Sequence, residues 1–234
     1  MKSLIKIAAA AAFLLPSTAF AATYSVVGDF GGSVFQYGYG QGGVSFTSYG
    51  APKTCGGFLT CYNNNGNLPE VIGNTTSTTY SDGGAVIPGN TVYAHPGAGV
   101  VDSDTIIRFV APTAGTYSIS GVFTRRNPTD GAGDGVRVSV FSGATLLYSG
   151  ALPATTLGAS VSYGPLASTL ASGGTLDFVV SNGVGGHGFD GTGVAATITT
   201  NANVVPEPAT WAMMVGGFGL LGAASRRQRL VAQA

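Results

Sequence analysis

From Thr105 onward the chain consists of short runs in which apolar residues recur at every second position, each closed by Gly, Pro, Asn or Asp: "TIIRFVAP", "GTYSISGVFT", "GVRVSVFSG", "TLDFVVSNG" and "GVAATITT". A period of two places alternate side chains on opposite faces of a strand, so such runs form sheets with one buried face. Tyr117, Ile119 and Phe123 share one face, Val136, Val138 and Val140 another, and Leu176, Phe178 and Val180 a third, with Ser, Thr and Arg opposite. With 38 glycines and only 9% charged residues, turns are supplied everywhere and long helices disfavoured. The pattern predicts an all-β protein, a single β-sandwich or jelly roll, and 234 residues suffice for one domain with appendages.

Between Ala22 and Asp104 the punctuation is denser. "VSFTSY" reads as a strand, and "NNNGNLPEVIGNTTSTTYSDGG" as a polar loop region. Val71, Ile72, Val86 and Ile87 assign this half to the first strands of the same sandwich, the alternative being a disordered spacer. Cys55 and Cys61 flank "GGFLT", and an even pair in an exported chain predicts a disulfide. Closing so short a loop stabilises by roughly 2 kcal/mol, enough to pin a hairpin. Without a nearby His, the two thiols make neither a zinc set nor a CxxC redox motif.

The opening "MKSLIKIAAAAAFLLPSTAFA" has Lys2 and Lys6, an apolar run and Ala19-Phe20-Ala21, the pattern of a signal peptide over residues 1–21 cleaved after Ala21. The formal net charge of zero conceals a partition, because five of the ten basic residues lie in the two ends. From Ala22 to Pro208 five basic residues face ten acidic ones, a net of −5. A body of that charge offers no phosphate-binding patch, which argues against nucleic acid as a partner.

The other end carries "VPEPATWAMMVGGFGLLGAASRRQRL". Ala209 to Ala224 is uncharged and largely apolar, about 24 Å long as a helix at 1.5 Å per residue, a marginal transmembrane span. Arg226, Arg227 and Arg229 follow at once and would hold the C-terminus in the cytoplasm and the body outside. Pro206 and Pro208 keep Val205-Pro206-Glu207-Pro208 extended and accessible beside that span. This three-part tail resembles the PEP-CTERM sorting signal of Gram-negative bacteria: motif at 205–208, helix at 209–224, basic cluster at 226–229. The resemblance implies recognition by an exosortase, transient anchoring in the inner membrane, and delivery to the cell surface or extracellular matrix. The resulting division is a signal peptide at 1–21, a β-sandwich domain at 22–203 and a sorting signal at 204–230.

The body also resembles galactose-binding-like jelly-roll modules of secreted bacterial proteins, through the strand pattern at Ala111 to Ser118, Gly133 to Val140, and Asp190 with Thr192. No binding residue carries over from that pattern. Two GxGxxG spacings, at Gly38, Gly40 and Gly43 and at Gly186, Gly188 and Gly191, lack the following helix that a dinucleotide site requires. "DGAGDGVRVSVF" places Asp130, Asp134 and Gly135 at EF-hand positions, but Ala132 and Phe141 stand where ligands belong. A calcium site of another kind would draw on Asp130, Asp134, Asp177 or Asp190; the plain reading is turn acids, with no cofactor. His95 in "AHPG" reads as a packed loop residue and His187 in "GGHGFDG" as an exposed one, and no nucleophile motif accompanies either. The functional reading is a noncatalytic surface or matrix protein sorted by an exosortase, the alternative an exopolysaccharide-binding module, then a secreted hydrolase. The only tryptophan, Trp211, lies in the tail, so sugar stacking would fall to Tyr39, Tyr49, Tyr62 or Tyr93.

Overall fold

The computed structural model describes residues 21–64, 66–82, 84–99, 103–127, 135–154, 156–183, 186–201 and 214–219. The expected signal peptide, Val205 to Pro208, and Arg226, Arg227 and Arg229 lie outside them, Ala21 aside. The chain divides into a compact unit, Ala21–Ala202, and a second unit of Met1–Phe20 with Asn203–Ala234. In the second unit residues 214–219 are helical, inside the span expected at 209–224. Among the described residues no helix is long and apolar enough to cross a membrane.

The unit Ala21–Ala202 is all-β. Its strands are β1 (Thr23–Ser25), β2 (Phe35–Gln41), β3 (Ser45–Ser48), β4 (Lys53–Cys55), β5 (Leu59–Asn64), β6 (Asn67–Asn74), β7 (Tyr80–Asp82), β8 (Ala85–Ile87), β9 (Thr91–His95), β10 (Asp104–Val110), β11 (Gly115–Arg125), β12 (Val136–Ser142), β13 (Thr145–Leu152), β14 (Ser160–Leu170), β15 (Thr175–Ser181) and β16 (Thr192–Asn201). Fourteen of them form two sheets packed as a sandwich, and β7 and β8 pair only with each other. One runs β14-β11-β16-β9-β6-β5-β4, with β1 also on β16; the other runs β13-β12-β15-β10-β2-β3. The pairings are antiparallel throughout, which suits sheets with one buried face.

The alternating faces meet as the periodicity predicts. Ile119 lies opposite Ile198 and Phe123 opposite Val194 in one sheet, Val138 opposite Val180 and Val140 opposite Phe178 in the other. All eight are buried, and with Tyr117, Val136 and Leu176 they form the core between the sheets. Each such side chain contributes roughly 1.5–3 kcal/mol relative to exposure.

The polar run after Asn63 is a correction. It is neither a loop region nor a spacer, because residues 67–74 form β6 with Val71 in the main core. Asn74 organises the turn that leads from β6 to β7: its Nδ2 donates to the Thr78 and Ile87 carbonyls at 2.7 and 3.0 Å, and its Oδ1 accepts from the Thr76 amide at 3.1 Å. The β7–β8 hairpin covers the outer face of the first sheet, where Leu59, Cys61, Ile72, Ile87 and Tyr93 make a second, smaller core. Every residue of β9 is therefore buried, and the alternation vanishes there. A disulfide joins Cys55 to Cys61 within the β4–β5 hairpin, their Cα atoms 6.0 Å apart.

Candidate functional site

Strands β9, β11 and β15 end, and β10, β12 and β16 begin, at the same end of the sandwich. Their loops are tied together there: the Gly97 amide donates to the Ser103 carbonyl at 2.8 Å, the Arg126 amide to Gly191 at 2.8 Å, and Asn182 Nδ2 to Gly99 at 3.3 Å. This end collects buried polar side chains. Tyr93 Oη donates to Asn127 Oδ1 at 2.9 Å, and a Cβ on Gly191 would overlap both atoms, so that position admits only glycine. Thr105 Oγ1 donates to the His95 carbonyl at 2.5 Å.

His95 is the last residue of β9, not a loop residue, and is 7% exposed. Its Nδ1 lies 2.8 Å from the Pro96 carbonyl oxygen, which can only accept, so Nδ1 bears the hydrogen and Nε2 the lone pair. Burial, with a smaller contribution from His187, pushes this imidazole down to about 4. His187 is half-buried rather than exposed, its ring 6.3 Å from that of His95. Across the strand from His95 stands Glu70, whose carboxyl is raised by burial.

Asp190 is fully buried at the entry to β16: its amide donates to the His187 carbonyl at 3.3 Å, and its own carbonyl accepts from Thr192 Oγ1 at 3.0 Å. Phe189, with φ of 62°, makes the reversal between His187 and Asp190. Asp130 and Asp134 lie outside the described residues. Asp177 is removed from the calcium candidates, because it sits in mid-strand, 1% exposed, and takes both Nε and Nη2 of Arg108 at 2.7 Å. Among the described residues no group of three His, Cys, Asp or Glu side chains is placed to hold a metal ion.

Two of the four tyrosines considered for sugar stacking are corrected as well. Tyr49 and Tyr93 are buried, and Tyr39 and Tyr62 are packed on core neighbours, Tyr62 with its ring 4.3 Å from Tyr37. The rings of Tyr49 and Tyr93 are thereby enclosed, whereas Tyr39 and Tyr62 are half-buried. Gly38 and Gly40 lie in β2, which turns into strand β3 rather than a helix; Gly38 makes room for Phe46, whose ring stacks on Arg108 at 4.0 Å. Gly186, Gly188 and Gly191 precede strand β16. Asn127, Glu70 and Thr105 escaped sequence reasoning, as did Arg125, which is 0% exposed and extends the buried face of Phe123 by two residues. That register was the available signal: a cation on the inward phase of an alternating strand.

The chemistry of this end is that of a hydrogen-bonded closure. The His95 imidazole is neutral over the ordinary pH range, and the Thr105 hydroxyl is engaged with a backbone carbonyl. Outside the sandwich, the family model that matches the chain covers the tail. Residues 204–229 are a PEP-CTERM protein-sorting motif. The PEP-CTERM match spans Val205 to Pro208 and all three terminal arginines, and it is an address rather than an activity.

No curated protein matches the sequence. Among solved structures the chain is similar to a carbohydrate-binding module 51 from Clostridium perfringens GH95, in complex with methyl-galactose, at TM-score 0.39 and 11% identity, covering 76% of this chain and 100% of that one. It is also similar to the CBM51-2 and INT domains of Clostridium perfringens ZmpB, at TM-score 0.35 and 12% identity over 50% of this chain; only 23% of that longer chain is spanned. A third similarity is to the C-terminal CBM6 of LamC from Zobellia galactanivorans, at TM-score 0.26 and 13% identity, covering 71% and 99%.

Proposed function

We propose that the chain is an exported, noncatalytic surface or extracellular-matrix protein of a Gram-negative cell, whose PEP-CTERM motif is read by an exosortase. The observation that carries this reading is the match of residues 204–229 to the sorting motif. On this reading Pro206, Glu207 and Pro208 are the segment the enzyme recognises, the apolar run 209–224 is the transient inner-membrane anchor, and the arginines set the orientation. Replacing Pro206-Glu207-Pro208 by alanines leaves anchor and charges intact. In a host with the matching exosortase, that variant is expected to be exported but to accumulate unprocessed in the inner membrane on immunoblots of fractionated cells. Maturation as fast as wild type sinks the proposal.

A second reading, exopolysaccharide binding, is favoured by one feature of the sandwich. A cleft of about 390 Å³ is lined by Tyr24, Asp29 and Phe30 with Gly28, Gly32, Ser33 and Val34. Asp29 Oδ2 accepts from the Ser25 amide at 2.7 Å, so the carboxylate is oriented beside two rings, the combination that recognises a hydroxylated ring. A glycan array probed with the protein and with Asp29→Ala tests it: binding retained by the variant, or absent from both, removes the reading.

A further inference from the structure

The two sheets have five outer strands, and the chain treats them unequally. β1 and β4 have three residues each, β4 beginning with Lys53, and β3 has four. Short or charged edges offer little to a foreign strand. On the other side lie β13, with eight residues, and β14, with eleven. From Val138 to Leu176 the chain contains no Asp, Glu, Lys, Arg or His, so neither long edge bears a charge. β14 is interrupted at Gly164-Pro165, where proline has no N–H to donate. β13 has no such break. Its register slips only at its start, between Val140 and Phe141 of its partner, leaving Tyr148 to Leu152 regular.

Along that segment Tyr148, Gly150 and Leu152 lie opposite the core residues Val140, Val138 and Val136, whereas exposed Ser149 and Ala151 lie on the outer face. The unpaired amides and carbonyls of its free side call for another antiparallel strand. We infer that β13 is a homotypic edge: it pairs with β13 of a second copy of this chain about a twofold axis at Gly150, joining the two six-stranded sheets into one. The strand is complementary to itself in that arrangement. Gly150 meets Gly150 of the second copy, Tyr148 meets Leu152 on the inner face, and Ser149 meets Ala151 on the outer face, so large residues face each other only on the side already apolar. No like charges meet, although the body as a whole is acidic. This pairing does not depend on the sorting reading.

The test uses the full chain, exported so that the native disulfide forms. Ser149→Cys with Ala151→Cys places each new thiol opposite its counterpart across the axis. A dimer-sized, reducible band on non-reducing gels is expected to exceed that of either single variant at least tenfold. Ser149→Lys with Ala151→Lys introduces four like charges at the junction and is expected to convert the wild-type dimer to monomer in sedimentation. Thr47→Lys, on the short edge β3, leaves the dimer intact. A β-rich circular dichroism spectrum with a cooperative urea transition reports that each variant is folded. A double-cysteine variant that stays monomeric while folded by that measure overturns the inference, and so does a cross-link to a chain of different mass.

Discussion

His95 shows most directly what burial does to a single side chain. Its folded-state pKa of about 4 lies below the value of 6.5 for a free imidazole, so the unfolded chain binds a proton that the folded chain refuses. Stability from this group is complete above pH 6.5 and is lost as pH falls toward 4, by up to about 3 kcal/mol. Glu70, raised by its own burial, acts in the opposite sense, losing stability as pH rises through its folded value. Changing only His95, as in His95→Gln, is therefore expected to flatten the acid limb of stability between pH 6.5 and 4, measured by urea unfolding at several pH values; an unchanged limb shows that His95 is not its source. Arg108 and Asp177 form the complementary case. Asp177→Ala leaves a guanidinium that is 22% exposed under the Phe46 ring without its carboxylate, and about 3 kcal/mol of stability is expected to go. Arg108→Met with Asp177→Leu is expected to recover most of it, read from the urea midpoint.

At the scale of elements, the long strands after Thr105 were legible because each has one face in the main core and one turned outward. β9 was not, since the β7–β8 hairpin roofs its outer face, anchored by the Val86 amide donating to the Arg126 carbonyl at 2.9 Å. β6 was hidden by composition, its polar neighbours satisfying one another around Asn74. The β4–β5 hairpin has a covalent clasp, and both its cysteines are expected to resist maleimide in unfolded, unreduced protein. Cys55→Ser with Cys61→Ser is expected to cost about 2 kcal/mol in the urea midpoint. Gly73 in β6 carries a sharper constraint: a Cβ there would overlap the Phe30 ring, and Gly73→Ala is expected to destabilise by about 1–3 kcal/mol through displacement of that ring.

For the whole molecule, the two hydrophobic clusters share the first sheet, Ile72 and Tyr93 lying in the same strands as Val71 and Ala94. Adjacent residues of one strand cannot leave the sheet separately, so the clusters are expected to melt together. Residues 22–204, purified without the ends, are expected to give a β-rich circular dichroism spectrum and one thermal transition; two resolved transitions would separate the β4–β8 region from the sandwich. If residues 209–224 anchor the full chain as proposed, Arg226, Arg227 and Arg229 changed to Ser is expected to reduce membrane retention, seen as protein shifting to the soluble fraction before processing.

The amino-acid sequence alone determined two properties of this protein, its sorting motif and its all-β class. Both are local: the motif is read along consecutive residues, and a period of two needs no knowledge of what lies across the sheet. The disulfide was legible too, because Cys55 and Cys61 are close enough along the chain to meet within one hairpin. Only the tertiary structure decided which polar groups are buried, since Tyr93 reaches Asn127 across 34 positions and Arg108 reaches Asp177 across 69. The same holds for the strand edges. The uncharged run from Val138 to Leu176 is visible in the sequence, but only strand order reveals that two of its strands are outermost in their sheets. Pairing across long chain separations depends on which sheets stack, and that is set by the summed burial of every inward face rather than by any single run of residues.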